Sequence, residues 1–507
     1  MYRILSAILL MFAVATPARA EWQEARSKHF IIYADEPRDE LRRYVERLER
    51  FDQAVRIVRK MNDPALSDAN RVRIFVLPNQ GSIENLCGCN NVVGFYITRA
   101  SGSVAFVPRK AGLTNDKYDM DADSVFFHEY SHHLQMQGAD VGLPGWAREG
   151  FAEFFARTDL RDDGSVVIGI MPAYRGYSLM DNNSLSIRDM LSGKTTFDNY
   201  AEYEGIYSRG WALTHYLAFD PSRRGQFDRY IEGIQKGVPP LTAAERAFGD
   251  LDSLTAELGS YVRRPKLPSL VLTGIKVDSA SISIRSLSPA EADILPTYIR
   301  AERKLKSAER DVASDANREA SKYPGDRFVQ AVLAQAELNA HHFAEADAAS
   351  DRALAADPNS FNALLDKGEA EMELAHAGGH GDWHSVRSWF LKANKIDPEA
   401  AEPLAMFYKT YLYAGERPTK NAIDALLYAV VLAPQDDSVR LMAVRQLLVD
   451  RDTDKAKQTF APFAYSPHSK NVWRANSERA LVAMEQGNAT EAMTHIEALQ
   501  ALIEKDD

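Results

Sequence analysis

Two histidines four residues apart, His128 and His132, bracket Glu129 in the run Val125-Phe126-Phe127-His128-Glu129-Tyr130-Ser131-His132. On a helix this spacing puts both imidazoles on one face, one turn apart, where they can share a metal ion. Glu129 then falls beside the ion without having to bind it, in a place to take a proton from a water. Sixteen residues separate His132 from Glu149, which lies in Gly145-Trp146-Ala147-Arg148-Glu149-Gly150-Phe151-Ala152-Glu153-Phe154. A carboxylate on a second helix completes a His2Glu set for Zn2+ and leaves the fourth position open. Glu153 follows one turn later and is expected to accept a hydrogen bond from the free ring nitrogen of His128 or His132. With Trp146, Phe151, Phe154 and Phe155 as neighbours, the two carboxylates are expected to be buried and to need a partner, which zinc would supply.

The remaining histidines offer less. His133 is turned about 100° from His132 on the helix and reads as a packing or surface residue. His215, among Trp211 to Leu217, reads as a core residue, and His341, His342, His376 and His380 have no ligand spacing.

The elements that must position this site begin with strands. His29 to Ala34, Val72 to Leu77, Gly94 to Thr98 and Ser103 to Val107 are β-branched and aromatic runs bounded by Pro, Gly and Asn. Apolar residues at helical spacing run from Leu41 to Met61. The spacing further predicts helices over 122–137, 144–157, 203–219, 223–235 and 242–262. Strands first and helices after is the order of an α+β domain. Ser103 to Val107 is expected to be its edge strand, open to pairing with an extended peptide. Residues 263–294 read as a linker, whose segments Leu270 to Val277 and Ser281 to Ile284 are expected to form a hairpin. Beyond it the texture changes to Ala-rich helical pairs. Pro324, Pro358, Pro398, Pro434 and Pro467 follow one another at 34, 40, 36 and 33 residues. A period near 34 with alanines ahead of each proline is the signature of tetratricopeptide (TPR) repeats, four to five of them between Pro296 and Ile503.

His-Glu-Tyr-Ser-His followed by Pro-Gly-Trp-Ala-Arg-Glu-Gly-Phe-Ala-Glu-Phe-Phe resembles the gluzincin clan of zinc metallopeptidases, including its peptidase-MA-like families. The resemblance implies a zincin-like α+β catalytic domain, with His128, His132 and Glu149 as zinc ligands and Glu129 as general base. Tyr207-Ser208-Arg209-Gly210-Trp211-Ala212-Leu213 is similar to the Tyr-x-x-Gly-x-Ala helix start of the aminopeptidase relatives. There the hydroxyl stabilises the oxyanion, a role this implies for Tyr207; the alternative is a packing tyrosine among Tyr200, Tyr203 and Tyr216. Two departures stand out. The Gly-x-Met-Glu-Asn segment that grips a free amino terminus is missing, and the aminopeptidase spacing to the third ligand is two residues longer. Internal cleavage is therefore the expectation.

The chain is 507 residues long, 45% hydrophobic and 26% charged, which calls for more than one domain. A net charge of −11 argues against a nucleic-acid partner. Arg3, the apolar stretch Ile4 to Val14 and Ala18-Arg19-Ala20 have the order of a cleavable secretory signal. No later stretch is apolar enough to span a membrane, so the mature protein is expected in the periplasm or outside the cell. Cys87 and Cys89 are the only cysteines and read as exposed loop thiols open to oxidation. The domains are then 1–20 signal, 21–262 gluzincin-like metallopeptidase, 263–294 linker and 295–507 all-α TPR solenoid. The expected function is hydrolysis of peptide or protein substrates, with the repeats binding a protein partner. The alternative is an inactive zincin-like scaffold of the cell envelope. On the first reading, removing residues after about 290 spares cleavage of short peptides.

Overall fold

The computed structural model describes residues 21–90, 92–109, 120–137, 142–181, 185–193, 199–465 and 471–506. The signal segment read in residues 1–20 lies outside them. The described chain is a mixed α/β part followed by a long all-helical part. In order come β1 (Gln23–Arg26), β2 (Phe30–Ala34), α1 (Arg38–Arg59), β3 (Val72–Leu77), α2 (Gln80–Cys87), β4 (Phe95–Ile97) and β5 (Val104–Pro108). Next are α3 (Ala122–Gln137), α4 (Gly145–Ala156), β6 (Asp159–Leu160), β7 (Val166–Ile168), α5 (Gly176–Met180), α6 (Ile187–Leu191) and α7 (Tyr200–Phe219). Then come α8 (Gln226–Gln235), α9 (Pro240–Phe248), α10 (Leu251–Val262), β8 (Leu270–Leu272) and β9 (Ser283–Ser286). The single helix expected over 242–262 is two, because Gly249 takes φ +84° and the Asp250 side chain caps the new helix at the Ser253 amide.

The main sheet has the order β4-β5-β3-β2-β1-β9. Its centre is parallel, β2 with β3 and β3 with β5, while β4 runs antiparallel to β5. The outer strand is therefore β4, and the expected edge strand, β5, is interior. The two linker segments do not form a hairpin either. Strand β9 pairs antiparallel with β1, and β8 pairs with β7 in a separate three-stranded sheet.

Side chains alternate across the main sheet. Phe30, Ile32, Ile74, Val76, Ala105 and Val107 point to one face and pack on Leu48 and Phe51 of α1 and Phe126, Phe127 and Tyr130 of α3. Ile31, Tyr33, Phe75, Leu77, Val104 and Phe106 point to the other, against α2 and the first helices of the C-terminal part. Those helices begin with α11 (Pro289–Arg303), whose Ile294, Leu295, Tyr298 and Ile299 lie in the same cluster. The C-terminal part thus covers one face of the sheet rather than hanging from a linker.

After α11 follow α12 (Glu309–Ala320), α13 (Arg327–Asn339), α14 (Phe343–Ala356), α15 (Phe361–Ala377) and α16 (Trp383–Ile396). The chain ends with α17 (Ala401–Tyr413), α18 (Lys420–Leu432), α19 (Asp437–Val449), α20 (Thr453–Ala464), α21 (Asn471–Glu485) and α22 (Ala489–Asp506). Among the described residues these are six successive helical pairs, more than the four to five expected, and the first starts at Pro289, with Pro296 inside α11. Pro324, Pro358, Pro398 and Pro434 each stand between one pair and the next, where a missing N–H ends no helix prematurely. Ala346, Ala349 and Ala353, fully buried along α14, show why alanine recurs: small side chains let the paired helices close up. No described helix is long and apolar enough to cross a membrane.

Candidate metal centre

Helix α3 starts at Asp121, whose carboxylate accepts the Ser124 amide at 2.7 Å. Its buried side, Phe126, Phe127, Tyr130 and Leu134, seats it on the sheet, which turns His128 and His132 toward α4. Helix α4 lies between α3 and α7 and is buried almost throughout. It approaches α7 unusually closely, and glycine is what permits it. A Cβ on Gly150 would stand 2.3 Å from the Gly210 carbonyl oxygen, and one on Gly210 would stand 2.8 Å from that of Trp146. Any side chain at either position would drive the two backbones apart.

The predicted ligands converge. His128 Nε2 lies 3.2 Å from His132 Nε2 and 3.2 Å from Glu149 Oε2, and His132 Nε2 lies 3.3 Å from the same oxygen. Tetrahedral bonds of about 2.0–2.1 Å place ligand atoms about 3.3 Å apart, so the trio has the dimensions of a zinc site. Two imidazole nitrogens and a carboxylate oxygen at such separations could hold one metal ion. Burial disfavours a charge on His128, but Glu149, Glu153 and Glu129 outweigh it and push its pKa up to about 9.

Tyr207 on α7 is brought to the same place. Its ring stacks on that of His128, with centroids 5.7 Å apart at 26°. Burial, with the Glu149 charge next in size, raises the phenol well above its ordinary value, so the hydroxyl keeps its proton and can donate. Glu129 is only half-buried. Its charge reaches Tyr96 of β4 as well as Tyr207.

Glu153 departs from expectation. It is fully buried, but its Oε1 is 3.8 Å from His128 Nδ1, too long for a hydrogen bond. Among the described residues that nitrogen has no hydrogen-bond partner. Glu153 is instead taken by Arg175, whose Nε and Nη2 donate to Oε1 at 3.1 and 2.9 Å, and by the Tyr174 hydroxyl, which donates to Oε2 at 2.8 Å. Sequence reasoning missed Arg175 and Tyr174 because no motif or helical spacing links them to Glu153.

The other histidines lie away from the trio. Burial pushes His133 down to about 3, and its ring nitrogens contact the Tyr96 hydroxyl at 2.8 Å and Gln137 at 2.9 Å. His215 is a core residue, held by the Tyr261 hydroxyl and the Gly169 carbonyl. Cys87 and Cys89 form a disulfide rather than remaining free thiols, with Gly88 between them at φ +72°.

A second group, His29, Asp52 and Asp63, also has ligand atoms close together. Its carboxylates have protein partners without a metal. Lys28 pairs with Asp63, Arg56 with Asp52, and His29 Nδ1 and Nε2 lie 2.7 Å from Glu49 and 2.9 Å from Asp63. The Tyr130 hydroxyl also donates to Asp52, at 2.8 Å. Burial lowers the His29 pKa, but Glu49 and Asp52 more than reverse this, so the net shift is upward. A group whose pKa is raised by folding stabilises fully below its unfolded value, about 6.5, and loses that contribution as pH rises through the folded value. The melting temperature is therefore expected to fall as pH is raised from about 6.5, and to fall less in His29→Gln. Parallel melting curves for the two proteins across that range would contradict the assignment.

A family described as "Protein of unknown function (DUF1570)" matches residues 125–240, a span that holds all six predicted site residues. None of the curated proteins matches. Among solved structures, the one titled "Functional Characterization of Pseudomonas Aeruginosa pilF" is similar at 16% identity with a TM-score of 0.33. That likeness covers 42% of this chain and 94% of that one, and is too loose to define a shared fold.

Proposed function

We propose that the chain is a zinc-dependent peptidase that cuts inside peptides, exported from the cytoplasm and joined to a TPR-like array that binds a protein partner. The observation that carries this reading is the set of 3.2–3.3 Å separations among His128, His132 and Glu149. Zinc held there would polarise a substrate carbonyl and lower the pKa of a water in its open fourth position. Glu129 takes the proton from the attacking water and returns it to the leaving amine. The Tyr207 hydroxyl donates to the carbonyl oxygen as charge develops on it. Strand β4, unpaired on its outer side among the described residues, offers main-chain groups to an extended peptide. Its Tyr96 hydroxyl contacts His133 Nδ1 at 2.8 Å, so a peptide on that edge would lie alongside the helix that carries Glu129. Export agrees with the signal-like first twenty residues and with the Cys87–Cys89 disulfide, which persists in oxidising compartments.

The test is a mixed peptide library read by mass spectrometry. Internal cleavage is expected, to be lost with a zinc chelator and restored by added Zn2+. A folded, zinc-loaded chain that cuts nothing would replace this reading with that of a binding scaffold.

A further inference from the structure

Arg175 stands where a short 3-10 turn, Ala173–Arg175, runs into α5. Its side chain is buried, and its guanidinium reaches two helices at once. Nε and Nη2 hold Glu153 Oε1 on α4, while Nη1 donates to Glu204 Oε1 on α7 at 2.8 Å. The outer oxygens are held too, Glu153 Oε2 by the Tyr174 hydroxyl and Glu204 Oε2 by the Ser178 hydroxyl at 3.2 Å. The same guanidinium carbon lies 4.6 Å from the centroid of the Tyr207 ring, the ring that stacks on His128. One side chain therefore touches the helix that carries Glu149, the helix that carries Tyr207, and Tyr207 itself.

We propose that Arg175 is a positioning residue of the metal centre, fixing the spacing between Tyr207 and the His128–Glu149 pair and holding Glu153 behind His128. The proposal rests on the metallopeptidase reading of the site. Its physical basis is the rigid, planar fork of donors, which can meet two carboxylates from different helices in fixed directions; a lysine ammonium is a point charge and cannot. Stability alone is a poor reason to keep such a group, because burying an ion pair costs about as much in lost hydration as it returns. Geometry is the better one. The Gly150–Gly210 crossing sets how near α4 and α7 come, and Arg175 sets how they are rotated and shifted about that contact.

The experiment compares full-length wild type with Arg175→Lys and Arg175→Met, each loaded with Co2+ in place of zinc for its visible absorption and with Zn2+ for kinetics. Both variants are expected to stay folded by circular dichroism, to show an altered Co2+ spectrum, and to lose about 10- to 100-fold in kcat with KM little changed. Arg175→Lys keeps the charge, so it separates the loss of the fork from the loss of the cation. Spectra and kcat equal to wild type in both variants would overturn the proposal alone. So would losses of signal and activity that merely track the unfolded fraction. A wild-type chain that takes up no Co2+ would overturn the metal-centre reading and this proposal with it. Wild-type chain with a normal spectrum but no peptidase activity, beside variants with altered spectra, would leave Arg175 as a positioning residue and reject only the activity.

Discussion

Glu129→Gln is expected to keep its metal and its fold while losing peptide hydrolysis by about 1,000-fold. The reason lies in what Glu129 is and is not. It stands outside the trio of ligand atoms, so the amide that replaces its carboxylate removes no bond to the metal. An amide of the same shape, however, cannot take a proton from water. Loss of kcat with KM nearly unchanged is the pattern of a group that acts only in the transition state. The check is a pair of measurements on one preparation: zinc per chain and kcat/KM on a cleaved peptide. Unchanged turnover would remove Glu129 from the mechanism, and loss of zinc would make it a ligand.

Truncation after Leu287 is expected to leave no soluble, folded α/β part, the reverse of what a linker reading of 263–294 predicts. The cut bares Ile31, Tyr33, Phe75, Leu77, Val104 and Phe106 over most of one sheet face. At about 1.5–3 kcal/mol for each large side chain returned to water, the loss is on the order of 10 kcal/mol. That equals the whole stability of a typical domain. The cut also removes Glu302, whose buried carboxylate pairs with Arg73 of β3 at 3.2 Å and with Arg99 at 3.3 Å. Expression of residues 21–287, followed by size-exclusion chromatography and circular dichroism, decides it. A monodisperse, cooperatively melting fragment would show that the repeats only dock on a sheet that stands without them.

Local patterning carried more of this molecule than pairing did. Four-residue spacing was enough to put His128 and His132 on one face of α3, and the downstream glutamate of the motif located Glu149. Helix α1 follows from periodicity, because it buries one face whose apolar residues repeat at helical spacing, whereas strands β2, β3 and β5, buried on both faces, were legible as β-branched and aromatic runs bounded by turn residues. Sheet order depends on contacts far apart in sequence. Strands β4 and β5 are both short, β-branched or aromatic runs, so composition could not show which of them is outermost. Segments around 270 and 283 looked like neighbours in a hairpin, yet their partners, β7 and β1, lie more than 100 residues upstream. The break at Gly249-Asp250 was legible as a glycine stop beside an aspartate cap, but the apolar spacing on either side masked it. Arg175 had no such signal: its partners lie 22 and 29 residues away, and only the crossing of α4 and α7 brings them together.

The most direct test of the metal centre is the zinc content of purified wild-type chain beside Glu149→Gln and His132→Gln, measured by plasma mass spectrometry after dialysis. One zinc per chain in the wild type, with little retained in either variant, is the predicted result. Wild-type chain that dialyses free of metal, or variants that hold it as well as wild type does, would contradict the assignment of His128, His132 and Glu149.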